Sequence, residues 1–338
     1  MPELLPLTRL RPSIFESALV LKKTATAGRK LAELKGLAAS MPNQGILINT
    51  LALQEAKDSS AIENIVTTHD ELFRSATYPD LPTSPAAKEV RHYVHALRAG
   101  FALVREHGLL TANHIVTIQG ELEKNAAGFR NVAVVELMRD LENFVNDQAA
   151  FDADPLIKMA IAHHQFESIH PFYDGNGRTG RIVNVLYLVN NGLLDIPVLY
   201  LSSYIVRHKA DYYRLLQAVR DQHDAPEIWE EWVMYMLNAI ETTAQQTIHT
   251  ITDIRAALMD YKHRIRASFK FYSQDLINNL FTHPYTKIDF VERDLSVSRI
   301  TATKYLDLLT QAGFVRKVKV GRSNYYINVA LNSILTRS

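Results

Sequence analysis

Apolar residues recur with helical spacing over most of the first 270 positions of the 338-residue chain. Leu31, Leu34 and Leu37, for example, fall on one face, because residues three and four apart are neighbours on a helix surface. The same spacing predicts helices over residues 27–40, 46–65, 87–107, 111–123, 136–146, 154–169 and 181–191. The last of these is apolar on nearly all sides, so it is predicted to lie buried at the centre of a helical bundle. The Pro-rich start is predicted to be an extended arm.

The pattern changes near the C-terminus, where short helices are followed by alternating residues. Helices are predicted over 273–281, 288–294 and 299–312, then strands over 314–320 and 325–329 with a turn between them. Three helices and a basic hairpin predict a winged helix-turn-helix. Its outward side chains would be Ser298, Arg299, Thr301, Thr303 and Lys304 on the recognition helix, with Arg316, Lys317, Lys319 and Arg322 on the wing. The fold class is therefore mainly α, with a helical bundle and a C-terminal winged helix.

Charge is distributed unevenly along a chain whose formal net charge is only +1. From Arg255 onward there are 14 Lys or Arg against 6 Asp or Glu, whereas the first 254 residues carry 23 against 30. A basic C-terminal unit favours contact with DNA, and a basic surface without a ligand is the alternative. Cysteine is absent, which excludes disulfides and thiolate chemistry. No apolar stretch is long enough to cross a membrane and no secretory pattern opens the chain, so we expect a cytoplasmic protein.

The segment IHPFYDGNGRTGR, from Ile169 to Arg181, carries the most specific chemistry in the chain. Gly175 and Gly177 permit positive φ and close approach of a ligand, and their N–H groups, with that of Asn176, can form a nest for phosphate oxygens. Two arginines three residues apart in the first helical turn point to one side and can hold successive phosphates. The segment therefore predicts a polyphosphate site at the start of a helix.

Two further side chains add a reaction to this site. Asp174 is a hard oxygen ligand of the kind that Mg²⁺ takes together with phosphates. His170 titrates near neutrality and can accept a proton from an attacking hydroxyl. Together these groups predict Mg²⁺-assisted transfer of part of a nucleotide to a hydroxyl.

The segment has three other interpretations. Gly175-x-Gly177-x-x-Gly180 matches the dinucleotide-binding fingerprint, which needs a preceding strand where the pattern here predicts a helix. His163, Glu167 and His170 share a helix face and form a possible metal site, although the spacing is not that of a zincin. The segment could also be only a glycine-rich helix start, but that role needs no clustered Asp, His and Arg.

The same residues resemble the Fic family, whose motif HxFx(D/E)GNGRxxR is met from His170 to Arg181 without a mismatch. The stretches 89–93, 128–130 and 137–144 resemble the family's flanking helices, and both ends of the chain resemble larger SoFic-like members. The resemblance implies three parts, an N-terminal arm with an inhibitory helix (1–85), a Fic core (86–250) and a winged helix (251–338). It also implies transfer of AMP from ATP, with Mg²⁺, to a Ser, Thr or Tyr hydroxyl of a target protein or of the chain itself.

Carried over position by position, the resemblance assigns a role to each motif residue. His170 would be the base, Asp174 would hold Mg²⁺, and the glycine loop would form the anion hole. The ATP site would comprise Glu63, Gly175, Asn176, Gly177, Arg178, Thr179, Gly180, Arg181 and Tyr212. Tyr212 would contact the adenine, with core packing as its alternative role. Pairing into a homodimer is a further expectation from the family.

A second motif lies upstream, where Ser59-Ser-Ala-Ile-Glu63-Asn64 resembles the family's inhibitory sequence (S/T)xxxE(G/N). The resemblance implies that Glu63 pairs with Arg181 and so removes one contact from the γ-phosphate, which misaligns ATP for transfer. Two other hypotheses stay open: net removal of AMP from a target, and a DNA-binding regulator whose core senses nucleotide. The family usually carries a longer β-hairpin flap where this chain has only residues 131–136, so the resemblance says less about target recognition than about ATP.

Overall fold

The structure is a computed structural model that describes residues 7–77, 84–149, 151–320 and 323–337. Its contacts divide the chain into two compact units, one formed by residues 1–36, 55–66 and 89–247, the other by residues 37–54, 67–88 and 248–338. The three parts expected from the resemblance, 1–85, 86–250 and 251–338, stay a prediction. Residues 7–15, expected to be extended, form two short 3-10 turns, Leu7–Arg9 and Pro12–Phe15.

Helices dominate the described residues, as the periodicity predicts. They are α1 (Ala18–Ala39), α2 (Gln44–Ile62), α3 (His69–Thr77), α4 (Pro85–His107), α5 (Ala112–Glu123), α6 (Val132–Asn146), α7 (Pro155–Ile169), α8 (Asn176–Asn190), α9 (Leu201–Arg207), α10 (Lys209–Asp221), α11 (Pro226–Ser268), α12 (Gln274–Thr282), α13 (Ile288–Leu295), α14 (Arg299–Gln311) and α15 (Val329–Thr336). The strands are β1 (Tyr285–Lys287), β2 (Val315–Val320) and β3 (Ser323–Asn328).

Helices α6 and α8 are among those that begin earlier than the apolar pattern predicts. Helix α6 starts at Val132 because the Asn131 side chain accepts a hydrogen bond from the Val134 N–H at 3.1 Å. The stretch expected to be a shortened flap is therefore the first turn of a helix. Helix α8 starts at Asn176, five residues before the apolar run, because Gly175 takes φ +74° and turns the chain directly into it.

In the first unit, α7 and α8 are enclosed on almost every face. The Trp232 indole donates to the carbonyl of Ala160 at 2.8 Å and thereby ties α11 to the middle of α7. Nearly all side chains of α7 are buried, up to its last residue, Ile169. The segment that joins the two helices, residues 170–175, is therefore held at both ends by rigid elements.

In the second unit, α12, α13 and α14 accompany a three-stranded antiparallel sheet of order β1-β3-β2. The three helices and the hairpin agree with the predicted pattern, and β1 is an additional strand too short to show alternation. Ser298 caps α14 through the N–H of Thr301 at 3.2 Å. Arg299 is paired with Asp289 at 2.6 Å, and Lys317 with Asp307 at 2.8 Å. Contact with DNA stays a prediction of the charge pattern, and Arg322 lies outside the described residues.

Among the described helices, none combines the length and apolar character that crossing a bilayer requires.

Candidate active site

His170 ends helix α7 in a left-handed conformation. Its φ is +51°, which is uncommon for a residue other than glycine, and its N–H donates to the carbonyl of Phe166 at 2.9 Å. Asp154 caps the other end of α7 through the N–H of Leu156 at 2.8 Å. The helix is thus fixed at both ends, and the turn at its last residue brings the His170 imidazole to the wall of a cavity.

The loop after His170 is closed by the side chain of Asn176. Its Oδ1 accepts from the Phe172 N–H at 2.8 Å, and its Nδ2 donates to the Phe172 carbonyl at 2.9 Å. Both polar atoms of the amide are therefore used inside the loop. What Asn176 can offer to a ligand is its backbone N–H.

The first turn of α8 presents backbone N–H groups without intrahelical acceptors. The first helical bond there runs from the Thr179 N–H to the carbonyl of Gly175 at 2.9 Å, so the N–H groups of residues 176–178 precede the hydrogen-bonded part of the helix. Gly175, the residue before the helix, provides no side-chain cap. This geometry suits an anion, which the helix dipole also favours.

Arg181 is buried, and its guanidinium forms hydrogen bonds with residues in and directly after helix α2. Its Nε donates to Ser59 Oγ at 2.7 Å, and its Nη2 donates to the Ser59 carbonyl and to Glu63 Oε1, both at 2.9 Å. Only 2% of the Arg181 side chain is exposed, so these bonds are largely shielded from water. The residues of the upstream motif and the last residue of the loop motif are thus in direct contact, as the resemblance implied.

Arg178 makes a different set of contacts. Its Nε, Nη1 and Nη2 each donate at 2.9 Å to a separate carboxylate, those of Glu63, Glu89 and Glu123. All three nitrogens of the guanidinium are therefore occupied, whereas Glu63 is the sole carboxylate hydrogen-bonded to Arg181 among the described residues. Glu63 bridges the two arginines, and only Arg181 depends on it for charge neutralisation.

These groups line one cavity of about 510 Å³, which is a size typical of small-molecule sites. His170, the glycine loop and Arg181 form its polar wall. Glu167 also lines it, and its Oε1 is enclosed without a hydrogen-bond partner among the described residues. Burial raises the pKa of Glu167 to about 7, although Arg181 opposes this effect.

The two tyrosines of α10 occupy different positions at this cavity. Tyr212 is only 1% exposed, and its hydroxyl lies 2.9 Å from His163 Nε2. Its neighbour Tyr213 is 47% exposed and also lines the cavity. Most of the Tyr212 ring therefore packs in the core, which was its alternative role. Tyr213 has the larger exposed surface that an adenine ring could contact.

Asp174 fits a divalent cation that is bound mostly by phosphates. Its Oδ1 accepts from the Gly175 N–H at 2.7 Å, and the residue lines the cavity beside the exposed N–H groups of α8. Within the described parts of the chain, no cluster of three or more His, Asp or Glu is arranged to hold a metal. One carboxylate completed by nucleotide oxygens is the coordination that Mg²⁺ prefers.

The two alternative sites are not supported. His163, one of the residues on the shared helix face, is buried against Tyr212 and Trp232 instead of facing a metal position. Because α7 precedes the glycine loop and α8 follows it, the βαβ unit of a dinucleotide site is absent there.

The sequence did not predict that Glu89 and Glu123 belong to this site. They come from α4 and α5 and reach Arg178 across 89 and 55 residues, so only folding brings them to it. Glu167 was predicted only as a possible metal ligand, whereas in the structure it lines the cavity near Arg181.

Gly177→Ala is expected to weaken ATP binding at least about 10-fold. An added Cβ would lie 2.6 Å from Glu63 Oε1 and 2.8 Å from Arg181 Nη1, so it would displace the Arg181 guanidinium from the cavity wall where it would meet a phosphate. Isothermal titration with ATP measures the effect, and a loss of this size corresponds to about 1.4 kcal/mol. Gly36→Ala is the matched control, because its added Cβ meets no atom within 4 Å. Equal ATP affinity in both variants would contradict the assignment of the loop around Gly177 to the ATP site.

Comparison with known proteins identifies the class to which this fold and site belong. Residues 21–102 match the family model described as Fic/DOC family N-terminal, and residues 62–188 match the Fic/DOC family model. Residues 258–331 match the model described as the C-terminal domain of SoFic-like protein adenylyltransferase. The chain therefore belongs to the Fic family, and within it to the SoFic-like class.

Individual relatives agree with this placement. Over 83 residues, or 25% of the chain, it is 36% identical to protein adenylyltransferase fic-1 of Caenorhabditis elegans, of which the match covers 15%. A probable protein adenylyltransferase of Aquifex aeolicus is 42% identical over 72 residues, which are 21% of the chain and 22% of that protein. The chain thus spans less than a quarter of the length of these relatives. A Fic family protein from Desulfovibrio desulfuricans has the same fold, with a TM-score of 0.55 over 95% of this chain and 99% of that one at 19% identity.

Proposed function

We propose that the chain is a protein adenylyltransferase that moves AMP from ATP to a hydroxyl of a Ser, Thr or Tyr side chain, on a target protein or on itself. The observation that carries the proposal is the single cavity that joins His170 to the free N–H groups of α8 and to Arg181. A base beside a polyphosphate site is the arrangement that transfer of a nucleotide group requires. The names of the relatives, all protein adenylyltransferases, support the same chemistry.

In the proposed reaction the residues of the chain position ATP and move one proton. The N–H groups of residues 176–178 bind phosphate oxygens, and Arg181 neutralises the terminal phosphate. His170 accepts the proton of the attacking hydroxyl as the new O–P bond forms, and pyrophosphate leaves. Mg²⁺, when bound at Asp174, would neutralise phosphate charge and orient the leaving group. Tyr213, with Tyr212 beneath it, is the proposed contact for adenine.

The proposal includes self-inhibition by Glu63. Because Glu63 accepts a hydrogen bond from Arg181, that arginine is not available to the γ-phosphate. ATP then binds without the contact that aligns its α-phosphate for attack.

Intact-mass spectrometry after incubation with Mg²⁺ and ATP tests the reaction class. The expected product is the chain of the Glu63→Gly variant carrying the mass of one AMP, and 2-chloro- or isotope-labelled ATP shifts that mass accordingly. A gain of one phosphate instead would overturn the proposal. The alternative is net removal of AMP, in which Glu63 would orient the attacking water. Incubation of the AMP-modified product with the native chain tests it, because loss of the AMP mass would indicate removal and an unchanged mass would indicate transfer.

Transfer by the Glu63→Gly variant should persist well into mildly acidic solution. Burial, followed by Arg130 and Arg220, holds the pKa of His170 below its ordinary value of 6.5. A base must be unprotonated, so the rate is expected to be constant above 6.5 and to fall as the pH drops through that lowered pKa. Initial rates from pH 5 to 8 measure the midpoint. Arg130→Gln should move it upward, whereas Arg214→Gln, an exposed residue outside the cavity, should leave it in place; a midpoint above 6.5 in the parent variant would contradict this assignment.

A further inference from the structure

Helix α2 carries a third polar residue on the face that holds Arg181. Glu55 precedes Ser59 by four residues and Glu63 by eight, so the three follow one another along the same side of the helix. Glu55 is only 3% exposed, although most glutamates lie at the surface. Arg181 forms its hydrogen bonds with Ser59 and Glu63 and none with Glu55, and no motif marks Glu55.

Both oxygens of Glu55 receive hydrogen bonds from other helices. Oε1 accepts from the Tyr93 hydroxyl of α4 at 3.1 Å and from the Ser202 hydroxyl at the start of α9. Oε2 accepts from the Ser202 N–H at 3.3 Å. Tyr93 and Ser202 are themselves completely enclosed. The carboxyl therefore joins α2 to two other helices at a point where water cannot replace a lost bond.

This arrangement is costly for a residue that only fills space. Burial raises the pKa of Glu55 to about 7, and the bonds from Ser202 and the charge of Arg181 only partly offset that cost. An apolar side chain of similar size would pack there without this penalty. The carboxyl at this position is therefore better explained by the specific hydrogen bonds that fix the position of α2. Tyr93 strengthens the link, because its hydroxyl interacts with Ser59 as well as with Glu55.

Geometry connects Glu55 to the inhibitory contact. One helical turn advances about 5.4 Å, and the bonds of Arg181 to Ser59 tolerate only a fraction of that displacement. Glu63 follows directly after the last residue of α2, Ile62, so its position depends on where the helix stops. A small slide or rotation of α2 would remove Ser59 and Glu63 from Arg181 together.

We propose that Glu55, through Tyr93 and Ser202, is the positioning residue that sets the axial and rotational placement of α2 and so keeps Ser59 and Glu63 on Arg181. The inference rests on the proposed transferase function, because it names how that activity is held back. Loosening this link should release the enzyme without touching any group that contacts ATP.

Rates of labelled AMP incorporation into the full chain test the proposal in two backgrounds. Glu55→Gln, whose amide would oppose the Ser202 N–H, is expected to raise the native rate about 10-fold, and Tyr93→Phe about 5-fold, because each loses a buried bond to a carboxyl group. In the Glu63→Gly background the same substitutions should cause a much smaller rise, since the bond of Glu63 is already gone and only the bonds of Arg181 to Ser59 are left to weaken. Tyr235→Phe is the matched control, because its hydroxyl donates at 3.3 Å to the His208 carbonyl, away from Glu55, and it should leave both rates unchanged.

Each alternative outcome is distinct. A fall in both backgrounds would mean that Glu55 is needed only for folding, and an unchanged native rate beside an active Glu63→Gly variant would mean that it does not hold α2; either result overturns the proposal. An inactive Glu63→Gly variant would overturn the proposed function instead. In that case hydrogen exchange of the backbone amides of residues 59–63 still tests whether Glu55 positions α2. We expect at least about 10-fold faster exchange in Glu55→Gln, and an unchanged exchange rate would contradict the positioning role.

Discussion

The Glu63→Gly variant is expected to incorporate labelled AMP about 10- to 100-fold faster than the native chain. A hydrogen bond that involves a charged group contributes roughly 1.5–3 kcal/mol, and each 1.4 kcal/mol corresponds to a factor of ten. Glu63 makes such bonds to both Arg178 and Arg181, at 2.9 Å each. Removing it leaves Arg181 with Ser59 as its hydrogen-bond partner among the described residues, so the guanidinium becomes available to a phosphate.

The two arginines should respond differently to this change. Arg178 keeps the carboxylates of Glu89 and Glu123 when Glu63 is removed, so its charge stays neutralised. Glu89→Gln is therefore the matched control, because it also removes a carboxylate from the site but leaves the contact of Glu63 with Arg181 intact. We expect no activation from Glu89→Gln. Equal activation by both variants would indicate that net charge, and not the release of Arg181, controls the rate.

His170→Ala in the Glu63→Gly background is expected to lower the rate of AMP transfer at least about 100-fold, since a positioned general base contributes roughly 10²–10⁴-fold. His170 lies at the cavity wall, and burial keeps its pKa low enough for a neutral imidazole near pH 7. Initial rates measure the loss, and ATP affinity should change little because no phosphate contact is removed.

The backbone at His170 requires a second variant. Its φ of +51° is unfavourable for alanine, so a loss in His170→Ala alone could reflect a displaced loop. Asparagine tolerates this conformation and has no group that titrates near neutrality. His170→Asn should therefore be as inactive as His170→Ala, with its thermal midpoint near that of the parent. Activity retained in the asparagine variant would show that position 170 acts through the backbone and not as a base.

The sequence predicted the elements better than their first residues. The apolar run from Arg181 indicated a buried helix, but α8 begins at Asn176, because its first turn is built from Asn, Gly, Arg and Thr residues that add no apolar stripe. Helix α6 begins at Val132, after the cap provided by Asn131, and its buried stripe already includes Val134, so the predicted start at Glu136 was too late. Helix boundaries are the part of an element that a pattern of apolar positions places least well.

What the sequence by itself determined is the chemistry of the loop from His170 to Arg181 and of the segment from Ser59 to Asn64, because both are continuous runs whose residue types act locally. Only the tertiary structure decided which groups compete for the arginines. Glu89 and Glu123 accept hydrogen bonds from Arg178, and Glu55 accepts hydrogen bonds from Tyr93 and Ser202. These partners are separated by 38 to 147 residues along the chain. Contacts of this kind depend on how buried helices pack, and their energies come from the exclusion of water at those positions, which no local pattern of residues records.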